Sequence, residues 1–248
     1  MAKFPLAIQV YTVREELKKD FKGTMIALAA MGYQGVELGG DFGGMEPAQL
    51  AAFLASLGLA VPGIHGSTAD ISNPHSRLYD YVAATSAPYV STSRDRDVET
   101  NWDKTVDEIR AAAEAAKSKG VQFTYHNHML EFKKFGGKYA LDILFERTDP
   151  KTVQAEMDTY WIKRGGEDPV AYIRKYKGRV PEIHLKDMDP ADQFFTEVGN
   201  GNMDLPGIYK AAEYVGTKWI IVEQDRWKRP PMDSARISID NLKKAGLA

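Results

Sequence analysis

The stretch Val121-Gln-Phe-Thr-Tyr-His126 is an apolar run that ends on a side chain able to bind a metal. Three later stretches repeat this pattern: Val153-Gln-Ala-Glu-Met-Asp158, Val180-Pro-Glu-Ile-His184 and Trp219-Ile-Ile-Val-Glu223. Each has the length and composition of a short strand, and polar loop follows its last residue. Because every gap between them has room for one helix and two loops, the four stretches predict repeated βα units.

The rest of the chain continues this alternation. Four earlier strands are predicted at 6–10, 35–38, 59–65 and 89–91. Apolar periodicity, with Pro at helix starts and Gly after helix ends, predicts helices at 21–31, 47–57, 73–85, 102–119, 140–146, 169–176, 205–215 and 234–244. Eight strands alternating with eight helices predict an α/β fold, a single (β/α)8 TIM barrel that spans residues 1–248 as one domain.

A doubly wound open sheet is the alternative architecture for alternating strands and helices. It predicts a Gly-rich phosphate-binding loop after the first strand. Tyr11-Thr-Val-Arg14 follows that strand instead, and Gly39-Gly40-Asp-Phe-Gly43-Gly44 lacks the dinucleotide-binding spacing. The closed barrel is therefore favoured.

Composition limits the classes of function. The chain has 248 residues, of which 44% are hydrophobic and 27% charged, enough apolar mass for a sizeable core. A formal net charge of −2 argues against nucleic-acid binding, which needs a clustered basic surface. The sequence has no cysteine, which excludes disulfides, thiolate metal ligands and a thiol nucleophile.

Neither a membrane span nor a signal peptide is predicted. No apolar stretch approaches the roughly 18 residues that a membrane-spanning helix requires. The N-terminal Met-Ala-Lys-Phe-Pro leads at once into the first strand and is too short and polar for a signal peptide. We expect a cytoplasmic protein, unless a leader is missing from this sequence.

The polar strand ends predict a metal site. In a parallel barrel the carboxyl ends of the strands converge on one face, so His126, Asp158, His184 and Glu223 should point at a common centre. Two imidazoles and two carboxylates suit a borderline divalent ion such as Mn, Co, Zn or Fe(II). If the chain turns back after the fifth strand, Glu131 replaces His126 as the ligand.

Other polar residues lie near the same ends. A barrel interior is normally filled by branched apolar side chains, so Gln9, Glu37 and His65 at the ends of strands one to three need a polar partner. A metal with a polyhydroxylated ligand would supply it. Two interpretations of Lys186, beside Asp187, are open: a solvated loop residue, or a proton shuttle with a depressed pKa. The connection from Lys186 to Leu205 is long enough to form a lid or a subunit contact in a homo-oligomer.

Several short motifs carry a family resemblance over essentially the whole chain. They are Gly35-Val-Glu-Leu-Gly39, Tyr125-His-Asn-His128, Met157-Asp-Thr-Tyr-Trp161, His184-Leu-Lys-Asp187, Val198-Gly-Asn-Gly-Asn202 and Val222-Glu-Gln-Asp225. The chain resembles the xylose isomerase-like TIM-barrel superfamily, in particular the sugar phosphate isomerase/epimerase group that also contains inosose dehydratase, ketose 3-epimerases and endonuclease IV.

The resemblance implies one divalent metal, most often Mn, with Co, Zn, Fe or Mg as alternatives. Family members bind it through Glu, Asp, His and Glu from strands five to eight, and Asp158, His184 and Glu223 match the last three. The strand-five Glu is replaced, because His126 stands there. Ketose epimerases use that Glu as an acid/base, so its loss weakens a simple epimerase and favours a dehydratase or lyase.

The implied activity is metal-dependent enolisation of a keto-sugar or cyclitol by an isomerase or epimerase, with a dehydratase or lyase as the alternative. A barrel that binds metal and sugar without turnover is a second alternative, and DNA cleavage like that of endonuclease IV is the least favoured. The roles are assigned as follows: acid/base residues Glu37, His65, Lys186 and Glu223; substrate-binding residues Gln9, His128, Trp161 and Arg226.

Overall fold

The computed structural model describes residues 3–94 and 102–248. Eight parallel strands form its central sheet, at Leu6–Gln9 (β1), Gly35–Glu37 (β2), Gly63–His65 (β3), Tyr89–Ser93 (β4), Gln122–His126 (β5), Val153–Asp158 (β6), Glu182–Leu185 (β7) and Trp219–Val222 (β8). Their order is β2-β1-β8-β7-β6-β5-β4-β3. Parallel bridges from Gly35 to Ala60 and from Leu38 to Ile64 join the two ends of this order, which closes the barrel. The predicted (β/α)8 barrel fold is confirmed.

Eleven α-helices are described, three more than the sequence predicts. They lie at Arg14–Lys19 (α1), Phe21–Met31 (α2), Pro47–Ser56 (α3), Thr68–Ser72 (α4), Leu78–Thr85 (α5), Trp102–Ser118 (α6), Ala140–Glu146 (α7), Thr159–Arg164 (α8), Pro169–Lys175 (α9), Leu205–Val215 (α10) and Pro231–Lys244 (α11). The unpredicted ones, α1, α4 and α8, are short. Among the described helices, none has the length and apolar character needed to cross a membrane.

The predicted helix at 73–85 is wrong in its first part. Helix α4 ends at Ser72, and α5 begins only at Leu78. The side chain of Asn73 accepts a hydrogen bond from the backbone N–H of His75 at 3.0 Å, which closes a turn. Pro74 has no N–H to donate, so this segment favours a turn over a continuous helix.

The strands place apolar residues outside the barrel and polar residues inside it. Ile8, Val36 and Met157 belong to the hydrophobic core. Contacts between strands that are not neighbours cross the interior: His65 of β3 reaches Glu156 of β6, and His184 of β7 reaches Glu37 of β2. Near the carboxyl ends of the strands, the barrel interior therefore holds ionisable side chains where branched apolar residues are usual.

The connection between β7 and α10 is anchored at its base. Asp187–Met188 pairs antiparallel with Phe195–Thr196. The buried carboxylate of Asp187 accepts backbone hydrogen bonds from four residues, at 2.8 to 3.1 Å: Met188, Gly199, Gly201 and Met203. A Cβ at Gly201 would lie 2.2 Å from Asp187 Oδ1, so glycine is needed for this close approach. The connection is thus held in place by one carboxylate.

Candidate metal centre

A cavity of about 1540 Å³ opens at the carboxyl ends of the strands. Aromatic side chains form part of its wall, among them Tyr11, Phe42, Trp161 and Phe194. Polar side chains from the strand ends also line it, namely Gln9, His65, His126 and Glu223. An aromatic wall with a few convergent polar groups is typical of a small-molecule binding site.

The four predicted metal ligands meet at this end of the barrel. His126 and Asp158 are the last residues of β5 and β6, His184 lies within β7, and Glu223 follows β8. Each offers one ligand atom, and these atoms all lie within 4.8 Å of one another. All four residues are buried.

Local hydrogen bonds orient Asp158 toward the other three predicted ligands. Its Oδ1 accepts the backbone N–H of Trp161 at 2.9 Å and so caps helix α8. Its own N–H donates to Asn127 Oδ1 at 3.0 Å. The second oxygen, Oδ2, is left to face the cluster, 3.7 Å from Nε2 of His126.

His184 is held between two carboxylates. Its Nδ1 lies 2.7 Å from Glu223 Oε2, and its Nε2 lies 2.7 Å from Glu37 Oε2. Gln9 donates to the same oxygen of Glu37 at 2.7 Å. Glu37 is fully buried and lies outside the cavity lining, where its contact holds the ring of His184, and the acid/base role predicted for it stays a prediction.

Glu156 is a central residue that sequence reasoning missed. It contacts His65 at 2.7 Å, His126 at 3.0 Å and His184 at 3.4 Å, and these four form a second grouping that could hold a metal. A third grouping consists of Glu37, Glu156 and Glu182. A usable signal was present, because Glu156 and Glu182 each precede a chosen ligand by two positions and therefore face the same side of their strand.

Charge pairing sets the protonation of the histidines in this cluster. Burial opposes the charged form of His65, but Glu156 and Glu37 outweigh it and raise its pKa to about 10. The same balance, with Glu156, Glu37 and Glu223, holds the pKa of His184 well above its usual value. Burial and the nearby charge of His184 keep the pKa of His126 well below normal, so His126 is neutral.

The structure contradicts the interpretation of Lys186 as a solvated loop residue, and its pKa is raised rather than depressed, while its role as a proton shuttle stays a prediction. Lys186 is 1% exposed, and its Nζ lies 2.9 Å from Asp158 Oδ2, 2.7 Å from Glu223 Oε2 and 2.8 Å from Asp225 Oδ1. Burial alone would lower its pKa, but the three carboxylates outweigh burial and hold the pKa well above its usual value. Lys186 is therefore a buried, charged residue.

The strand-five position in the cluster belongs to His126. Glu131 accepts a hydrogen bond from the Tyr125 hydroxyl at 2.7 Å and another from the backbone N–H of His128 at 3.0 Å. It belongs to none of the possible metal-binding groupings among the described residues. Glu131, the alternative ligand, therefore lies outside the cluster. It is bonded to Tyr125, which points to the opposite face of the strand from His126.

The predicted substrate-binding residues Gln9, His128, Trp161 and Arg226 all line the cavity. The ring of His128 packs edge to face on Trp161, with centroids 5.4 Å apart. The amide of Gln9 is already used by the protein, because Oε1 accepts the Tyr11 N–H at 3.0 Å while Nε2 bonds Glu37.

Arg14 is a cavity residue that no sequence signal marked. Its guanidinium lies 3.9 Å from the ring centroid of Tyr11 and 4.3 Å from that of Trp227. It also donates to the backbone oxygen of Asp225 at 3.1 Å. The fold alone brings these distant parts of the chain together at the cavity mouth.

The residues present fit a divalent metal. Two imidazoles and two carboxylates match the preferences of Mn, Co, Zn and Fe(II) better than those of Mg, which favours oxygen ligands alone. Two buried atoms of the set, Asp158 Oδ2 and His126 Nδ1, make no well-aligned hydrogen bond to any described residue. Each nevertheless has a charged neighbour, Lys186 Nζ at 2.9 Å from Asp158 Oδ2 and Glu156 Oε2 at 3.0 Å from His126 Nδ1, so the fit to a metal rests on the donor set.

The chain is similar in sequence and in fold to known proteins. A family model described as xylose isomerase-like TIM barrel matches residues 25–245. An inosose dehydratase from Lacticaseibacillus casei is 30% identical over 154 residues, which cover 54% of this chain and 51% of that protein. The chain thus spans about half the length of the first curated relatives that it matches.

Two further likenesses extend over most of the chain. An inosose dehydratase from Lactiplantibacillus plantarum is 26% identical, with 85% of this chain and 84% of that protein covered. The crystal structure of a sugar phosphate isomerase/epimerase from Parabacteroides distasonis superposes with a TM-score of 0.84 at 22% identity, covering 100% of this chain and 98% of that one. At this identity the second likeness shows the fold alone.

Proposed function

This chain belongs to the xylose isomerase-like TIM barrel family, and from that premise we propose that it is a divalent-metal-dependent dehydratase or lyase acting on a keto-sugar or cyclitol. The convergence of His126, Asp158, His184 and Glu223 beside a polar and aromatic cavity carries the proposal. A metal held by these four residues would polarise a bound ketone and acidify the adjacent C–H. Mn, Co, Zn and Fe(II) are the candidate ions.

Two histidines on the cavity lining are placed to move protons. His65 and His128 both line the cavity and both lie beside His126, with ring centroids 5.6 Å and 4.9 Å from it. Glu156 and Glu37 fix the His65 ring and stabilise its protonated form. Elimination needs one group to take the α-proton and another to protonate the leaving hydroxyl, and we assign these tasks to the two imidazoles.

The aromatic wall orients the substrate and limits its contact with water. Trp161 packs against His128 and against Phe195 at 5.5 Å, so its indole is fixed beside the cluster. Sugar rings present apolar C–H faces that stack on such surfaces. A substrate pressed against Trp161 would meet the histidines with its hydroxyl groups.

Elimination is favoured over epimerisation by one substitution. An epimerase needs two opposed acid/base groups, and the strand-five Glu that family epimerases use for this is His126 here. The relatives named inosose dehydratase support the same choice. The isomerase or epimerase predicted from the sequence remains the second candidate, because it shares the first proton abstraction.

The test is proton NMR of the Zn-loaded protein with an inosose in D₂O. A dehydratase converts the ketone to an unsaturated product, whereas an isomerase or epimerase exchanges deuterium without loss of water. Neither change, despite bound metal, would overturn the catalytic proposal for this probe and favour a barrel that only binds metal and sugar.

A matched pair of variants controls this experiment. Asp158 and Asp168 each cap a helix through a side-chain oxygen, so Asn at either position preserves the cap. Only Asp158 belongs to the cluster. We expect Asp158→Asn to abolish turnover and Asp168→Asn to leave it unchanged.

A further inference from the structure

We infer that Lys186 is the resident cation of the centre before metal binds, and that metal displaces its ammonium group into the substrate cavity. The inference rests on the metal centre proposed above and concerns a residue outside the ligand set. It assigns Lys186 two positions, one that neutralises the ligand carboxylates and one that faces the substrate.

The contacts of Lys186 resemble those of a bound ion. Its ammonium group has three N–H donors, and three carboxylate oxygens lie within 2.9 Å of it. Two of these oxygens, Asp158 Oδ2 and Glu223 Oε2, belong to proposed metal ligands. Lys186 therefore supplies the positive charge that these buried carboxylates need when no metal is bound.

Metal and ammonium compete for these oxygens. Asp158 Oδ1 is committed to the helix cap, so Oδ2 is the atom that either cation must use. Glu223 Oε2 already contacts both Lys186 and His184 Nδ1. Two cations on the same pair of oxygens would lie a few ångströms apart in a buried site, where their repulsion is strong. In this inference the repulsion displaces the ammonium group.

Asp225 provides the place to which Lys186 moves. Its Oδ1 lies 2.8 Å from Lys186 Nζ, and it is the partner of the three outside the ligand set. Asp225 lines the cavity and its side chain is 18% exposed, whereas Lys186 is 1% exposed and lies outside the cavity lining. A lysine that keeps Asp225 and releases the other two carboxylates would therefore turn toward the cavity.

The second position has a functional consequence. Lys186 Nζ already lies 5.8 Å from the ring centroid of Trp161, the aromatic wall of the cavity. An ammonium group between Asp225 and this wall would donate hydrogen bonds to the hydroxyl or keto oxygen of a substrate. Metal loading would then complete the substrate site as well as the metal site.

The first test is metal affinity, measured by titration calorimetry with Mn²⁺ on the apo protein. Lys186→Met removes the competing cation and should tighten Mn²⁺ binding by at least about tenfold. Lys210→Met, which removes a lysine from the exposed face of α10, should leave the affinity unchanged. Asp225→Asn should weaken binding because Lys186 loses its alternative partner, and Asp192→Asn, an acid on the cavity lining paired with Lys228, should not.

The second test uses the wild-type protein, so it stands even if a variant fails to fold. Acetylation by an N-hydroxysuccinimide ester, followed by peptide mass spectrometry, reports the exposure of each lysine. Lys186 should be protected in the apo protein and react at least about tenfold faster with Mn²⁺ bound, while Lys210 reacts equally in both.

The outcomes separate this inference from the proposed function. Wild-type protein that binds Mn²⁺, with no gain in Lys186→Met or no change in Lys186 acetylation, overturns the inference and leaves the metal centre intact. Wild-type protein that binds no divalent metal overturns the metal centre and the inference with it.

Discussion

Glu156 Oε2 lies 2.7 Å from Nε2 of His65, and this contact joins strand β6 to strand β3 across the barrel. The same carboxylate oxygen is 3.0 Å from Nδ1 of His126. One buried acid thus links a proposed metal ligand to a proposed proton carrier. Glu156 does not line the cavity, so it holds both imidazoles in place without contacting a bound substrate.

We expect Glu156→Gln to impair both metal binding and turnover. The amide is nearly isosteric but carries no charge, so it orients His126 and His65 less well. Metal affinity should fall by about 10–100-fold, as for other residues that orient metal ligands. Calorimetry with Mn²⁺ measures this, and Glu146→Gln on the exposed end of α7 is the control. Unchanged affinity would remove Glu156 from the support of the site.

Metal should stabilise the folded chain. Binding to the native state alone adds about 2.7 kcal/mol when free metal is 100 times its Kd. For a domain of this size that raises Tm by about 5–10 °C, which differential scanning calorimetry with Mn²⁺ or with EDTA resolves. The gain should vanish in Asp158→Asn and persist in Asp168→Asn. An equal gain in both variants would place the bound metal elsewhere.

Arg179 should be a major contributor to stability away from the site. It is buried, and it donates to the carbonyl oxygens of Val153 at 2.8 Å, Phe145 at 2.6 Å and Thr148 at 3.2 Å. It therefore satisfies carbonyls in the last turn of helix α7, just after that helix and at the start of β6. Arg179→Met leaves these acceptors unpaired and should cost about 3 kcal/mol in the free energy of unfolding.

Urea denaturation measures that loss. The control is Arg174→Met, because Arg174 lies exposed on α9 over the ring of Tyr214. A loss below about 1 kcal/mol at Arg179, typical of an exposed pair, would contradict its assigned role.

Asp187→Asn should loosen the wall of the cavity while leaving the metal ligands in place. The carboxylate accepts four backbone N–H groups, and an amide offers only one oxygen to them. Asp192, Gln193 and Phe194 of this connection line the cavity. Limited trypsin digestion should cleave at Lys186 or Lys228 faster than in wild type, and KM should rise by about tenfold with Mn²⁺ affinity unchanged. Wild-type resistance to trypsin would show that the loop does not depend on Asp187.

Much of the fold could be predicted from the sequence because apolar runs mark the strands and polar residues mark where the strands end. Strand β6 was predicted to the residue, since an apolar run begins at Val153 and its last residue, Asp158, starts a new helix as its cap. Helices α2, α7 and α10 were also predicted to the residue. The segment after Asn73 was mispredicted, because the helical periodicity of 78–85 was extended back through a turn that Asn73 and Pro74 impose.

The residues of the site could be predicted from the sequence only where a polar residue ends a strand. His126, Asp158, His184 and Glu223 converge as expected, because parallel strands bring their ends together. Glu156 was overlooked inside an otherwise apolar run, although its spacing from Asp158 marked the same face. The protonation of Lys186 and the stacking of Arg14 depend on partners distant in sequence, and no local pattern encodes those contacts.

The most direct test is the metal content of protein purified without added metal and then reconstituted with Mn²⁺, measured by elemental analysis beside Asp158→Ala and His126→Ala. We predict about one divalent ion per chain in the parent, with loss from both variants, as expected for a site with these ligands. Metal retained in His126→Ala would remove His126 from the ligand set. No bound metal in the parent after reconstitution would contradict the central claim.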